Sequence, residues 1–206
     1  CDEIDKRGLK VVWDYRGRVN GIDEESIKRF KKSGGRMISF GIETSSEEGL
    51  RVLRKGSKLK QNVEALRLCR KYGIVTIADF ILGLPHEKSY DDVLQSIKTL
   101  TYDYDPDYAQ FTVCCPYPGT KLAEEIHEGK WGKFITHDLK DYQMWSVTWL
   151  PFGYKNAKEL KNMERYAFRK FYLRPSYVIK RILKIRSFED IKRYFKGGTA
   201  LIKGFL

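Results

Sequence analysis

The sequence predicts an α/β fold: an open, partial (βα) barrel of four parallel strands with flanking helices, followed by a helical, basic C-terminal region. Three observations lead there. Short β-branched or aromatic runs alternate with helix-period segments over residues 1–128, the pattern of βα units joined by right-handed crossovers. Capping residues and glycines punctuate those segments. From residue 129 the alternation stops and the charge changes with it: residues 152–206 hold 15 Lys/Arg and 4 Asp/Glu, a net of +11 in a chain of +12. Residues 1–128 therefore read as the sheet-bearing unit, and 129–206 as an aromatic loop with a basic helical extension.

Each element has its own signal. Lys10–Tyr15 (KVVWDY) reads as the first strand. Asp23 can cap the next helix, Ile22 and Ile27 occupy staple positions, Phe30 continues the apolar stripe and Gly34 ends it. Met37–Glu43 (MISFGIE) reads as the second strand. Ser45 or Ser46 caps a short helix carrying Leu50 and Leu53, and a longer helix places Leu59, Val63 and Leu66 at helical spacing before Gly73. Ile74–Leu82 (IVTIADFIL) is nearly apolar throughout, which predicts a third strand covered on both faces. Ser89-x-x-Asp92 resembles a capping box for a helix with Val93, Leu94, Ile97 and Leu100; Asp107–Cys114 is the fourth strand, and Thr120 can cap Lys121–Glu128.

Beyond Trp131, a loop-like stretch holds Trp131, Trp145, Trp149, Pro151 and Gly153. Leu160, Met163, Ala167 and Phe171 then recur at helical spacing. Ser176–Ile185 reads as a basic amphipathic helix, and Ser187-x-x-Asp190 as the start of another ending at Gly197-Gly198. Four strands do not close a barrel, and an open sheet leaves unpaired edges. With a first residue of Cys1, no signal-peptide pattern and no apolar run near the ~20 residues of a membrane span, the chain is expected to be part of a longer cytoplasmic protein. Cys1, Cys69, Cys114 and Cys115 contain no C-x-x-C pair, which argues against a disulfide framework or a zinc site. His86, His127 and His137 form no spacing pattern and receive no role.

In parallel βα folds ligands bind outside the carboxyl ends of the strands. Those ends offer Arg16 and Arg18 on the first strand, then Gly41, Glu43, Thr44 and Ser45 on the second. The third offers Gly83, Leu84, Pro85 and Glu87, and the fourth Pro116, Tyr117, Pro118 and Gly119. Singly, each has an ordinary reading as a helix cap or turn former. Their joint placement at consecutive tips makes them candidates.

The segments GGRMISFGIETSSEEGLRVLRKG, ADFILGLPHE and YAQFTVCCPYPGTKL resemble the second half of a radical S-adenosylmethionine (SAM) barrel. They are most similar to the class carrying an N-terminal cobalamin-binding domain, exemplified by anaerobic magnesium-protoporphyrin IX monomethyl ester oxidative cyclases. The resemblance implies that Glu43, with Thr44 or Ser45, holds SAM through its ribose hydroxyls or amino group. It implies that Arg54, or failing it Lys55, pairs with the methionine carboxylate, that Gly83, Leu84 and Pro85 form an adenine-contacting turn, and that Pro116 and Tyr117 edge the adenine. The C-x-x-x-C-x-x-C loop that holds a [4Fe–4S] cluster in this family is absent from the chain. So the intact protein is expected to carry the cluster and cobalamin on its missing N-terminal part, and to cleave SAM reductively to a 5′-deoxyadenosyl radical. Hydrogen abstraction from a tetrapyrrole or lipid-like substrate would follow. This chain alone is expected to supply part of the SAM site and to be inactive. No catalytic residue or metal ligand is assigned within it.

The basic tail admits two other readings. One is a nucleic-acid-binding module, although no Arg-rich arm or aromatic RNA-binding pattern accompanies the charge. The other is association with an anionic membrane surface, because Val178, Ile179, Ile182 and Leu183 lie opposite Lys180, Arg181 and Lys184. The plainer expectation for that helix is an apolar side packed on the barrel and solvated cations.

Overall fold

The computed structural model describes residues 1–143 and 146–185, together with 187, 189 and 192. Four strands, β1 (Trp13–Gly17), β2 (Gly35–Glu43), β3 (Val75–Leu82) and β4 (Tyr108–Val113), form one sheet in the order β1-β2-β3-β4. All three pairings are parallel, as the alternating pattern predicts. After a short helix α1 (Asp2–Lys6), the connections carry α2 (Glu24–Lys32), α3 (Glu47–Val52), α4 (Leu59–Lys71) and α5 (Tyr90–Lys98), and α6 (Lys121–His127) follows β4. The caps read from the sequence are in place. Asp23 and Ser26 form a capping box on α2, Ser89 and Asp92 form one on α5, Ser46 rather than Ser45 caps α3, and Thr120 caps α6.

β1 starts at Trp13, three residues later than the apolar run suggests. Gly34 explains this: its backbone, at φ +90°, passes so close to the Val11 carbonyl that a Cβ there would lie 1.9 Å from the oxygen. The close crossing keeps Val11 and Val12 out of the ladder, and both are exposed. Trp13 is fixed instead, donating from Nε1 to the Ser33 carbonyl at 3.0 Å and meeting Phe30 edge-on at 4.6 Å. On α4 the buried stripe is Asn62, Ala65, Leu66 and Cys69, whereas Val63 is exposed. Leu59, Val63 and Leu66 matched the helical period, but Val63 falls on the solvent edge of it.

The expectation that β3 is covered on both faces also needs correction. Its residues alternate, with Thr76, Ala78, Phe80 and Leu82 buried and Val75, Ile77, Asp79 and Ile81 only partly covered. The buried set faces the helix layer with Ile38, Phe40 and Ile42 of β2 and Ala109, Phe111 and Val113 of β4. The opposite, concave face carries Arg16, Ser39, Gly41, Asp79, Gln110 and Thr112 by register. Helices cover one side of this sheet, and the other mixes these polar residues with Ile77 and Ile81.

Past α6 the aromatic stretch is not a plain loop. β5 (Gly132–Phe134) pairs antiparallel with β6 (Trp149–Pro151). Three-residue strands are too short to show a period. Trp149 is fully buried and donates from Nε1 to the Cys114 carbonyl at 3.0 Å, tying this hairpin to the end of β4. Trp145 lies outside the described residues, as do Asp190, Gly197 and Gly198 of the last helix read from the sequence.

α7 (Ala157–Tyr172) buries Leu160, Met163, Ala167, Phe168 and Phe171 in the same core as the sheet. Phe111 of β4 meets Phe168 at 5.1 Å and Phe171 at 6.2 Å. The free edge of β4 is clasped by Tyr172, whose hydroxyl donates to the Ala109 carbonyl at 2.7 Å and accepts from the Ala109 N–H at 3.1 Å. That answers part of the open-edge problem from within the chain. Residues on both sides of the 128/129 boundary thus share one core. No helix among the described residues is long and apolar enough to cross a membrane.

Candidate functional site

Glu43 ends β2 in the left-handed region, at φ +62°. A register shift between Gly41 and Glu43 places it beside Phe80 of β3. A non-glycine residue in this conformation at a strand tip is strained, and here the carboxylate is turned back over the strand. Oε1 accepts a hydrogen bond from the Lys55 ammonium at 2.6 Å, and both side chains are largely covered, 19% and 14% exposed. The pair lies over Gly41. A Cβ on Gly41 would sit 2.5 Å from Glu43 Oε1 and 2.9 Å from Lys55 Nζ. The sequence places Gly41 at this strand end without giving it a role. The available signal was a glycine inside an otherwise apolar strand, which marks a close approach.

Arg54 stands apart from this pair. It is exposed, at φ +49°, one position before Lys55 in the turn after α3. The cation brought to Glu43 is the fallback residue, Lys55. Thr44 and Ser45 point their hydroxyls into the helix layer: Thr44 is buried, with Oγ1 3.5 Å from His86 Nε2, and Ser45 donates to the Ser96 carbonyl at 3.0 Å. His86 itself is buried, and desolvation holds its pKa below the usual histidine value. Gly49 of α3 makes room for it, since a Cβ there would lie 2.5 Å from the imidazole Cε1.

The turn after β3 is held from beneath. Glu87 is buried and accepts from the Gly83 N–H at 2.8 Å and from the Tyr154 hydroxyl at 2.5 Å. Burial pushes its carboxyl up to about 7, against the pull of the Tyr154 bond. Gly83 adopts φ +73°, and a Cβ there would meet Leu160 of α7 at 2.9 Å. Leu84 and Pro85 are buried, Leu84 in a small cluster with Cys114, Ile126 and Trp149. On the β4 tip Pro116 is buried, whereas Tyr117 is half exposed with its ring 6.0 Å from Tyr142. The structure thus brings Glu43, the Gly83–Pro85 turn and Pro116–Tyr117 to the ends of three adjacent strands. It leaves Arg54 outside and uses the Thr44 and Ser45 hydroxyls elsewhere.

Below the tips, the concave face continues the polar lining. Ser39 donates to Asp79 Oδ2 at 2.9 Å, and Asp79 Oδ1 is buried with no hydrogen-bond partner. A buried carboxylate oxygen left unpaired is costly, so this position suits a donor from a bound group.

The model of the radical SAM superfamily matches residues 2–100. A Pyrococcus horikoshii protein named as an uncharacterized methyltransferase is 32% identical over 200 residues, covering 94% of this chain and 41% of its own length. The chain is thus similar to radical SAM proteins over most of its length. The anaerobic magnesium-protoporphyrin IX monomethyl ester cyclase of Cereibacter sphaeroides is 35% identical over 132 residues, 62% of this chain and 21% of that protein. Among solved structures, the cobalamin-dependent SAM radical enzyme OxsB with aqua-cobalamin bound superposes with a TM-score of 0.56 at 19% identity, over 95% of this chain and 34% of its own. That likeness is one of fold. The chain spans less than half the length of these relatives.

The residues present do not fit a cluster. Among the described residues no group of three His, Cys, Asp or Glu could hold a metal ion. Cys69 and Cys114 are buried, and burial pushes both thiols up, Cys69 to about 12, the reverse of what a thiolate ligand needs.

Proposed function

We propose that this chain supplies SAM-binding strand tips to a longer radical SAM enzyme whose cluster and cobalamin are held elsewhere in the protein. The observation that carries this reading is the Glu43–Lys55 pair lying over Gly41 at the open end of the sheet. Glu43 has a second oxygen free to accept from the ammonium of SAM, and Lys55 has further N–H groups for the methionine carboxylate. One zwitterionic end of the ligand is thus matched by one half-buried ion pair. Arg54, one residue away and exposed, is the alternative carboxylate partner. Tyr117, half exposed, then offers an aromatic edge for adenine beside the Gly83–Pro85 turn, which is itself buried and held by Glu87. When bound, SAM supplies the adenosyl group whose reductive release starts the family's chemistry. This chain's residues bind and orient it.

The intact protein would go on to abstract hydrogen from, or transfer a methyl group to, its substrate. Cyclase and methyltransferase names both occur among the relatives, and the two outcomes share the binding step proposed here. The row of Arg16, Asp79 and Gln110 favours a substrate with hydrogen-bonding groups, an acceptor for Arg16 and a donor for Asp79, over a plain hydrocarbon. The nucleic-acid reading is less favoured, because Arg181, 13% exposed, is taken up by Asp107 and the outward side of the last described helix is aliphatic.

Equilibrium dialysis of SAM against the full-length protein tests the proposal. Glu43→Gln and Lys55→Met should each weaken binding by roughly 10- to 100-fold, the range for one lost charged hydrogen bond. Unchanged affinity in both variants would overturn it.

A further inference from the structure

α8 (Pro175–Ile182) sits at the end of the sheet opposite the strand tips, and it sits the other way round from expectation. Its arginine is largely buried against the protein, and its lysines, though exposed, reach back to it. Arg181 lies over the rings of Tyr108 and Tyr177, 4.3 Å and 4.7 Å from their centres, and donates to the Asp107 carbonyl. Lys180 bonds to Asp105, and Lys184 bonds to Asp107 Oδ1 at 3.1 Å. Arg174, just before the helix, is almost fully buried and donates to Asp105 Oδ1 at 2.6 Å. Asp105 and Asp107 precede β4, and Asp107 is itself locked to β3 through the Thr76 N–H at 3.1 Å. The helix is therefore seated by charge and by Tyr177.

Its apolar side is left facing outward. Val178, Ile179, Ile182 and Leu183 are 41%, 56%, 58% and 77% exposed, and their spacing puts them on one face of the helix and its first residue beyond. Four adjacent exposed aliphatic side chains on one helical turn and a half mark an interaction surface. The Lys180 and Lys184 side chains flank it, each 57% exposed, in a segment, residues 152–206, of net charge +11. The complement to this surface is apolar within and negative at its border. A second copy of the chain would set one +11 segment against another. With no membrane-crossing helix described, the fitting occupant is the interfacial zone of an anionic bilayer.

We infer that α8 docks the protein on an anionic lipid surface through Val178, Ile179, Ile182 and Leu183, with Asp105 and Asp107 holding the helix in that orientation. A strand of six to nine residues separates this face from the tips by roughly 20–30 Å, so docking and SAM binding are separate functions of opposite ends. The inference does not rest on the reading of the tips.

Flotation of the 206-residue chain with vesicles of phosphatidylcholine, with and without about one-third phosphatidylglycerol, tests it. The chain should float with the anionic vesicles, and binding should fall as salt is raised. Ile179→Glu with Ile182→Glu should reduce binding roughly tenfold or more without lowering the melting temperature, because both positions are solvent-facing. Absence of binding to anionic vesicles, or binding that the double variant leaves intact, would overturn the inference. So would a concentration-dependent dimer abolished by the same substitutions, or a double variant whose melting temperature falls by several degrees, which would show the face to be packed.

Discussion

The two ends of the sheet are built on different terms. At the carboxyl ends of the strands, Glu43 is held in a left-handed conformation, Asp79 keeps one buried oxygen unpaired, and the Glu43–Lys55 pair stays partly open to solvent. At the amino ends, carboxylates and cations meet in a dense set: Asp105 receives Arg174 and Lys180, and Asp107 receives Lys184 and the Thr76 N–H. Left-handed backbone and unpaired buried polar atoms occur at both ends, Glu43 and Asp79 Oδ1 at one and Asp105 and Arg181 Nε at the other, so the contrast lies in charge: one part-open ion pair at the tips against several cations converging on two carboxylates at the far end. An isolated, part-open pair leaves polar groups for a ligand, whereas converging ion pairs hold elements together.

That contrast can be broken by substitution. The largest effect is expected at the supporting end. Asp105→Ala strands Arg174, whose side chain is 4% exposed, and should cost about 3–5 kcal/mol in chemical denaturation. A loss below ~1 kcal/mol would remove the claim that this ion-pair set supports the fold. Glu87 comes next. Its folded-state pKa, about 7, lies above the ordinary 4.5, so the folded chain binds the proton more tightly. Its contribution is present in full below about 4.5 and is lost as pH rises towards about 7. Denaturation midpoints should therefore fall across that window and level off above it, and Glu87→Gln should flatten the dependence by up to ~3 kcal/mol.

Tyr172→Phe removes both hydrogen bonds that clasp the β4 edge at Ala109. It should lose about 1–3 kcal/mol and speed amide exchange at Ala109. At the tips the same kind of change should barely register on stability. Glu43→Gln should shift the denaturation midpoint by less than ~1 kcal/mol while weakening SAM binding. A large stability loss there would mean that the pair is structural. Arg54→Ala, at an exposed position, should move stability by no more than ~0.5 kcal/mol, and SAM dialysis on the same variant decides between Arg54 and Lys55.

Much of this was legible because it is local. The alternation of strand and helix, the caps at Asp23, Ser46, Ser89 and Thr120, and the placement of Glu43 at a strand end all follow from nearest-neighbour chemistry. What escaped depends on pairs far apart in the chain. Glu87 could be placed near a tip, but its bond to Tyr154 spans 67 residues. The β5–β6 hairpin is set by Trp149 reaching the Cys114 carbonyl, not by its three-residue strands. Val63 shows the limit of periodicity: the period identifies a helix, but the partner decides how wide its buried face is.

By itself, the sequence determined the α/β class, the parallel order of βα units, the charge division near residue 152 and the radical SAM resemblance, since each rests on pattern and composition. Only the tertiary structure decided that Lys55 and not Arg54 meets Glu43, and that α8 turns its arginine inward. The α8 pattern shows two faces of unlike polarity and is silent on which one the body of the protein takes. Asp105 and Asp107, some seventy residues earlier, made that choice, because partly buried carboxylates call for cations more strongly than a satisfied core calls for further aliphatic side chains.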